Sequence, residues 1–174
     1  MFSVWIDADS CPKQVREFVL TATRKYSVPL YFVANRYIPF SFAPEESNGR
    51  QNKSVHMIVC EKTSQAADEY IFSHCNTEDI VITRDIPFAV RLVEKGIRVM
   101  NDRGTAFTKE NVGERLSERN FMMNLEAIGL GSKNKKSYYG KKEFDRFCRT
   151  FDKEFMQKVT NWQYTRTTSS RGQN

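Results

Sequence analysis

The stretch SVWIDADSCPKQVREFVLTATRKYSVPLYFVAN, residues 3–35, decides the fold. Residues 3–7 and 28–35 are short apolar runs rich in Val, Ile, Leu and aromatics, without the polar alternation of a half-exposed strand. Between them, residues 12–25 place Val15, Phe18, Val19 and Ala22 at i, i+3, i+4 and i+7, with Pro12 acceptable in a first helical turn. Strand, amphipathic helix and strand in this order make a parallel βαβ unit.

Outward from this unit the pattern repeats. Residues 54–60, 79–85 and 97–102 read as further buried strands. Residues 64–75 are helical through Ala67, Tyr70, Ile71 and His74, and residues 86–95 open with Pro87 and close at Gly96. The expected fold is α/β: a doubly wound, mostly parallel five-stranded sheet with helices on both faces. One link, residues 36–53, carries Pro39, Pro44 and Gly49 and has no helical period. Its aromatics Tyr37, Phe40 and Phe42 suggest that its first half packs. Residues 111–129 again look helical, with Asn111 and Glu114 spaced like a capping box and Gly129 at the end.

The expected organisation is an α/β domain over 1–129, a basic linker over 130–140 (containing GSKNKKSYYG), an amphipathic helix over 141–158 and a frayed tail over 159–174. In that helix Phe144, Phe147, Cys148, Phe151 and Phe155 form one stripe, expected to dock on the domain. Lys141, Lys142, Arg146, Arg149 and Lys153 are left for the wet face.

A length of 174 residues suits one domain, and 40% hydrophobic residues suffice for a core. No apolar run approaches the roughly 18 residues that span a bilayer. Residues 1–10 hold two acids and no basic n-region, so a cytoplasmic protein is expected. Cys11, Cys60, Cys75 and Cys148 form no C-x-x-C pair, and with only His56 and His74 they give no zinc spacing. The net charge of +6 is uneven: residues 1–129 hold 16 Lys and Arg against 17 Asp and Glu, and residues 130–174 hold 11 against 4. The basic last quarter fits either a polyanion footprint or a solubilising tail.

In open α/β sheets ligands bind beyond the carboxyl ends of the strands. Asp7 ends the first strand and Asp9 follows it; Asp85 ends the fourth and Asp102 the fifth; Asp68 lies early in the helix after the third. These five carboxylates are expected on one rim. Singly, each has a plainer role, such as a helix cap by Asp9 or Asp85. Together they repel, by around 4 kcal/mol for a pair about 4 Å apart at an effective dielectric near 20. A cation among them, or retained protons, relieves that repulsion. Oxygen-only ligands point to Mg²⁺ or Mn²⁺. Asp68 lies about 100° from the buried stripe of its helix and Glu69 nearly opposite it, so Asp68 is the better ligand.

DADSCP (7–12), AADEYI (66–71), VITRDIPFA (81–89), NDRG (101–104) and ERLSERNFM (114–122) together resemble the bacterial YaiI/YqxD family of uncharacterised proteins. The resemblance runs from about residue 5 to residue 129 and implies similarity in layout to PIN-like domains, whose metal-dependent ribonucleases gather acids at the carboxyl rim of a parallel sheet. It implies Asp7, Asp68 and Asp85 as the metal-site acids, with Asp9 close by and Thr83 as a polar neighbour. Glu69 stands where the family usually has a second Asp, Asp102 where it has proline, and Asn120 where an Asp is typical. The place of Asp102 in the cluster therefore rests on sheet geometry alone.

Three functions compete. The first is a Mg²⁺- or Mn²⁺-dependent nuclease acting on RNA or another nucleic acid, with Asp7, Asp68 and Asp85 as catalytic acids. Thr83, Arg84, Arg103, Lys141, Lys142, Arg146 and Arg149 would then contact substrate. The second is a phosphatase of the haloacid-dehalogenase type using Asp7 and Asp9, although Cys11 stands where that motif continues with Thr or Val. The third is a non-catalytic nucleic-acid-binding module whose basic C-terminal segment carries the binding.

Overall fold

Alternate residues of each strand enter different cores, which explains why the strands carry no polar alternation. Val4 and Ile6, Leu30 and Phe32, Ile80 and Ile82, and Met100 face one core, while Trp5, Val33, Val81 and Val99 face the other. A computed structural model describes residues 1–39, 54–63, 65–129 and 139–171, the stretch 165–171 by backbone alone. Its elements are β1 (Val4–Asp7), α1 (Lys13–Lys25), β2 (Leu30–Ala34), β3 (Val55–Val59), α2 (Ala66–His74), β4 (Ile80–Ile82), α3 (Ile86–Glu94), β5 (Arg98–Met100), β6 (Ala106–Phe107), α4 (Val112–Ala127) and α5 (Lys141–Arg171). The described strands form one sheet in the order β3-β2-β1-β4-β5-β6, with every neighbouring pair parallel except β5 and β6. The chain winds outward from β1 through β2 to β3, then crosses back to β4 on the other side of β1. The order thus reverses between β1 and β4.

The mostly parallel sheet matches the expectation, but it has six described strands instead of five. The sixth arises at Asn101, whose Oδ1 accepts the backbone N–H groups of Arg103 and Thr105 at 3.0 and 2.9 Å. With Gly104 at φ +79° the chain doubles back on β5. Two residues are too few to show a period, so β6 is invisible in the hydrophobic pattern.

α1 and α5 cover one face. Phe147, Phe151, Phe155 and Val159 repeat every fourth residue of α5 and are fully buried. Successive Phe rings stack at 5.7 and 5.1 Å, and Phe18 of α1 meets Phe144, Phe147 and Phe151 edge-on at 6.0–6.3 Å. Each buried Phe contributes about 1.5–3 kcal/mol of transfer free energy. The helix was expected to stop at 158; because Val159 continues the stripe, it runs on to Arg171 through the segment expected to fray. Its early part lies directly on the β5–β6 turn: a Cβ on Gly104 would come within 2.6 Å of the Arg146 carbonyl, and Thr150 Oγ1 donates to Gly104 O at 3.0 Å.

α2 and α3 cover the other face, with Ala67, Ile71, Phe88, Ala89, Leu92 and Val93 buried. The α2 stripe is narrower than expected, since Tyr70 is half-buried and His74 exposed. Asn111 makes no capping box. Its Oδ1 accepts Thr108 N–H and its Nδ2 donates to Ala106 O, so it braces the turn before α4. Within the 36–53 link Tyr37 is exposed while Ile38 is buried, so the apolar residue packs and the phenol does not. Phe40, Phe42 and most of the basic linker lie outside the described residues. No helix among the described residues is long and apolar enough to cross a membrane.

Candidate functional site

Asp7 is the last residue of β1, at the switch point, and side-chain alternation turns it toward the α2 and α3 face, as Trp5 is. Its Oδ2 accepts two hydroxyl hydrogen bonds, from Thr83 Oγ1 at 3.1 Å and from Ser10 Oγ at 3.2 Å. Burial pushes its pKa up; the two hydroxyls pull against that, and the charges of Asp9 and Asp85 add to it. Thr83 is buried and sits one residue beyond β4. Its Oγ1 also accepts the backbone N–H of Asp85 at 3.1 Å. Thr83 is thus a brace between the end of β1 and the residues that follow β4.

Asp85 caps α3, its Oδ1 accepting Phe88 N–H at 2.8 Å, so the helix-cap reading and a place on the acidic rim hold at once. Asp68 lies in the first turn of α2. Its pKa is pushed up to about 7, by burial first and then by the charges of Asp7 and Asp85, against a smaller opposing effect of Arg91. Glu69 is exposed and grips Arg91 through both carboxylate oxygens, at 2.6 and 3.1 Å. That pairing holds the Glu69 pKa low. Glu69 thus points to solvent while Asp68 is half-buried, as the helical period predicts.

Asp7, Asp68 and Asp85 therefore share one rim, where burial and then the charges of neighbouring acids raise the proton affinity of Asp7 and Asp68. Among the described residues, no three Asp, Glu, His or Cys side chains stand close enough to enclose a metal ion. The donors are all oxygen, which suits Mg²⁺ or Mn²⁺, and the mutual repulsion felt by Asp68 is what a divalent cation would relieve. Coordination would need these three side chains to draw closer than they stand here.

Two predicted members are turned elsewhere. Asp9 points to the end of β2: its Oδ2 accepts Asn35 N–H at 2.6 Å and its Oδ1 meets Arg36 Nε at 3.5 Å. Asp102 follows Met100 in alternation, on the opposite side of the sheet, and is buried. It pairs with Arg84, and its backbone carbonyl accepts the Tyr139 hydroxyl at 2.9 Å. Asp102 is thus a structural anion and not part of the acidic group. Sheet geometry alone put it with the others, and the period of two within a strand separates it. Arg84 is committed to Asp102, and with Arg103 it lies over the Tyr139 ring at 5.9 and 5.6 Å. Lys141, Lys142, Arg146 and Arg149 are exposed on α5, whose first turns rise to the same rim on the far face.

Several contributors were not singled out in the sequence. Ser10 is one, although a hydroxyl three residues after Asp7 is a visible signal for a local hydrogen bond. Arg91 is another, and only the packing of α2 beside α3 shows it. Residues 5–157 match a family model described as an uncharacterised bacterial family, YaiI/YqxD. The chain belongs to the YaiI/YqxD family. The match extends past 129, where the resemblance in the motifs ended, and takes in α5 as far as residue 157. Among similar proteins is one from Treponema denticola, 44% identical over 86% of this chain and 88% of its own length. Others come from Treponema pallidum, 39% identical over 87% and 80%, and Syntrophobacter fumaroxidans, 38% identical over 87% and 92%. All three are called UPF0178 protein, a name that states no activity. No solved structure matches the chain.

Proposed function

We propose that the protein is a metal-dependent nuclease that hydrolyses phosphodiester bonds in nucleic acid, with RNA as the substrate, and that its catalytic rim is PIN-like. One observation carries this reading: Asp7, Asp68 and Asp85 gather at the switch point of a parallel sheet, where burial and then the charges of Asp7 and Asp85 push the Asp68 pKa up to about 7. These three residues would hold Mg²⁺ or Mn²⁺. A bound ion of this kind lowers the pKa of its water and stabilises charge on the leaving oxygen. Thr83 and Ser10 fix the orientation of Asp7, and the cap to Phe88 N–H fixes that of Asp85. The exposed cations of α5 supply a track for the phosphate backbone. Asp9 is engaged by Asn35 and Arg36, which speaks against its serving as the acid–base partner of a haloacid-dehalogenase-type phosphatase.

The deciding experiment compares purified protein and its Asp7→Asn variant on labelled RNA with Mn²⁺. Cleavage by the wild type alone is expected. Equal cleavage by both would mark a contaminant. Binding without cleavage by either would favour the non-catalytic module, with affinity then lost on removing residues 130–174.

A further inference from the structure

A second feature opens on the same rim, on the same side of the sheet. The ladder pairs Ile6 with Ile82 and Ile82 with Met100, so Asp7, Thr83 and Asn101 are the next residues along the same cross-strand row. Trp5, Val81 and Val99 precede them by two and all face the α2 and α3 core, so the row faces that way too. Neighbouring strands lie about 4.8 Å apart, which puts Asn101 roughly 10 Å from Asp7. Beside Asn101 is a cavity of about 290 Å³, walled by Ile86, Phe107 and Met122 and flanked by Arg115 and Arg119 on α4. Ile86 directly follows Asp85, so the cavity begins one residue from the acids.

We infer that this cavity is a nucleotide subsite, seating one base of the substrate strand next to the phosphodiester on the acidic rim. The inference rests on the nuclease reading above. The apolar wall gives a base a surface to lie against, and Met122, flexible and polarisable, adapts to purine or pyrimidine. Arg115 and Arg119 are one helical turn apart and so line the same side of α4. Glu118 holds Arg115 at 3.2 Å, which leaves the pair with one net positive charge for the adjoining phosphate. The volume is at the low end of small-molecule pockets, which suits one nucleotide unit better than a larger ligand.

The test uses the full chain with ¹³C-labelled methionine methyl groups, in EDTA, titrated with uridine and adenosine 5′-monophosphate. The Met122 signal, assigned through Met122→Leu, should shift saturably with both nucleotides and much less with inorganic phosphate. Arg119→Gln should weaken that response about tenfold and raise KM for single-stranded RNA by a similar factor, with kcat little changed. Asp7→Asn should abolish cleavage and leave the Met122 shift intact. A Met122 signal indifferent to nucleotide, or equally responsive to phosphate alone, overturns the subsite even if RNA is cleaved. A nucleotide-dependent shift in a protein that cleaves nothing keeps the subsite and sinks the nuclease.

Discussion

Thr83 donates its hydroxyl hydrogen to Asp7 Oδ2 at 3.1 Å while its oxygen accepts the backbone N–H of Asp85 at the same distance. One buried hydroxyl thereby ties the ends of β1 and β4 together at the point where strand order reverses. Thr83→Val keeps the shape and removes both bonds, leaving the Asp85 N–H without its acceptor. The expected loss is about 1–3 kcal/mol of stability in urea unfolding, with Thr83→Ser recovering most of it.

Asp68 sets a pH dependence. Its pKa is near 3.8 when unfolded and about 7 when folded, so between these values the folded state holds more protons and stability falls as pH rises. The contribution is fully present below about 4 and gone above about 7. Thermal melts across that window should show a steeper decline for the wild type than for Asp68→Asn, whose amide does not titrate. Equal slopes would remove the raised carboxyl from the account.

Divalent metal should act in the opposite sense. Mn²⁺ or Mg²⁺ at millimolar concentration is expected to raise the melting temperature by linkage, most at pH values where Asp68 is ionised. Asp7→Asn should abolish the rise and leave the metal-free protein as stable as before or more so, because a like charge has gone. A wild-type melt unmoved by either ion would sink the metal site.

Asp102 depends on Arg84. It is buried, its Oδ1 has no hydrogen-bond partner among the described residues, and its other oxygen meets the Arg84 guanidinium. Arg84→Gln should destabilise by about 1–3 kcal/mol at neutral pH, read by urea unfolding. The double variant with Asp102→Asn should lose less than the sum of the two single changes.

Gly104→Ala should weaken the seat of α5. The residue sits at φ +79°, and its added methyl would lie 2.6 Å from backbone atoms of Arg146. Backbone strain alone accounts for about 1–3 kcal/mol, and displacing the helix adds to it. Urea unfolding reads the total; a midpoint within error of wild type would mean that helix and turn are not in this close contact.

Much of the fold was legible because burial leaves a period. The stripe of Phe147, Phe151 and Phe155 announced a docked helix, and the two-sided apolar strands announced a covered parallel sheet. β6 left no such trace, being two residues made by an Asx turn. The acids were legible as a group because strand ends fall on one rim, and Asp68 was separated from Glu69 by helical angle alone. What could not be read was direction within the rim. Asp9 is drawn off by Asn35, and Asp102 by its parity with Met100, and both depend on partners distant in the chain. The α4 cavity needs three elements to meet, so no single motif signals it.

The contact of Phe2 with Phe155, ring edge to ring face at 5.6 Å, joins the first strand's flank to the last helix. During synthesis these residues are separated by about 150 positions, which at 5–20 residues per second amounts to about 8–30 s. Until α5 leaves the ribosome, Val4, Ile6, Leu30 and Phe32 lack part of their cover. The nascent chain therefore carries an adhesive apolar sheet face until α5 emerges, and chaperone occupancy on it should end only then.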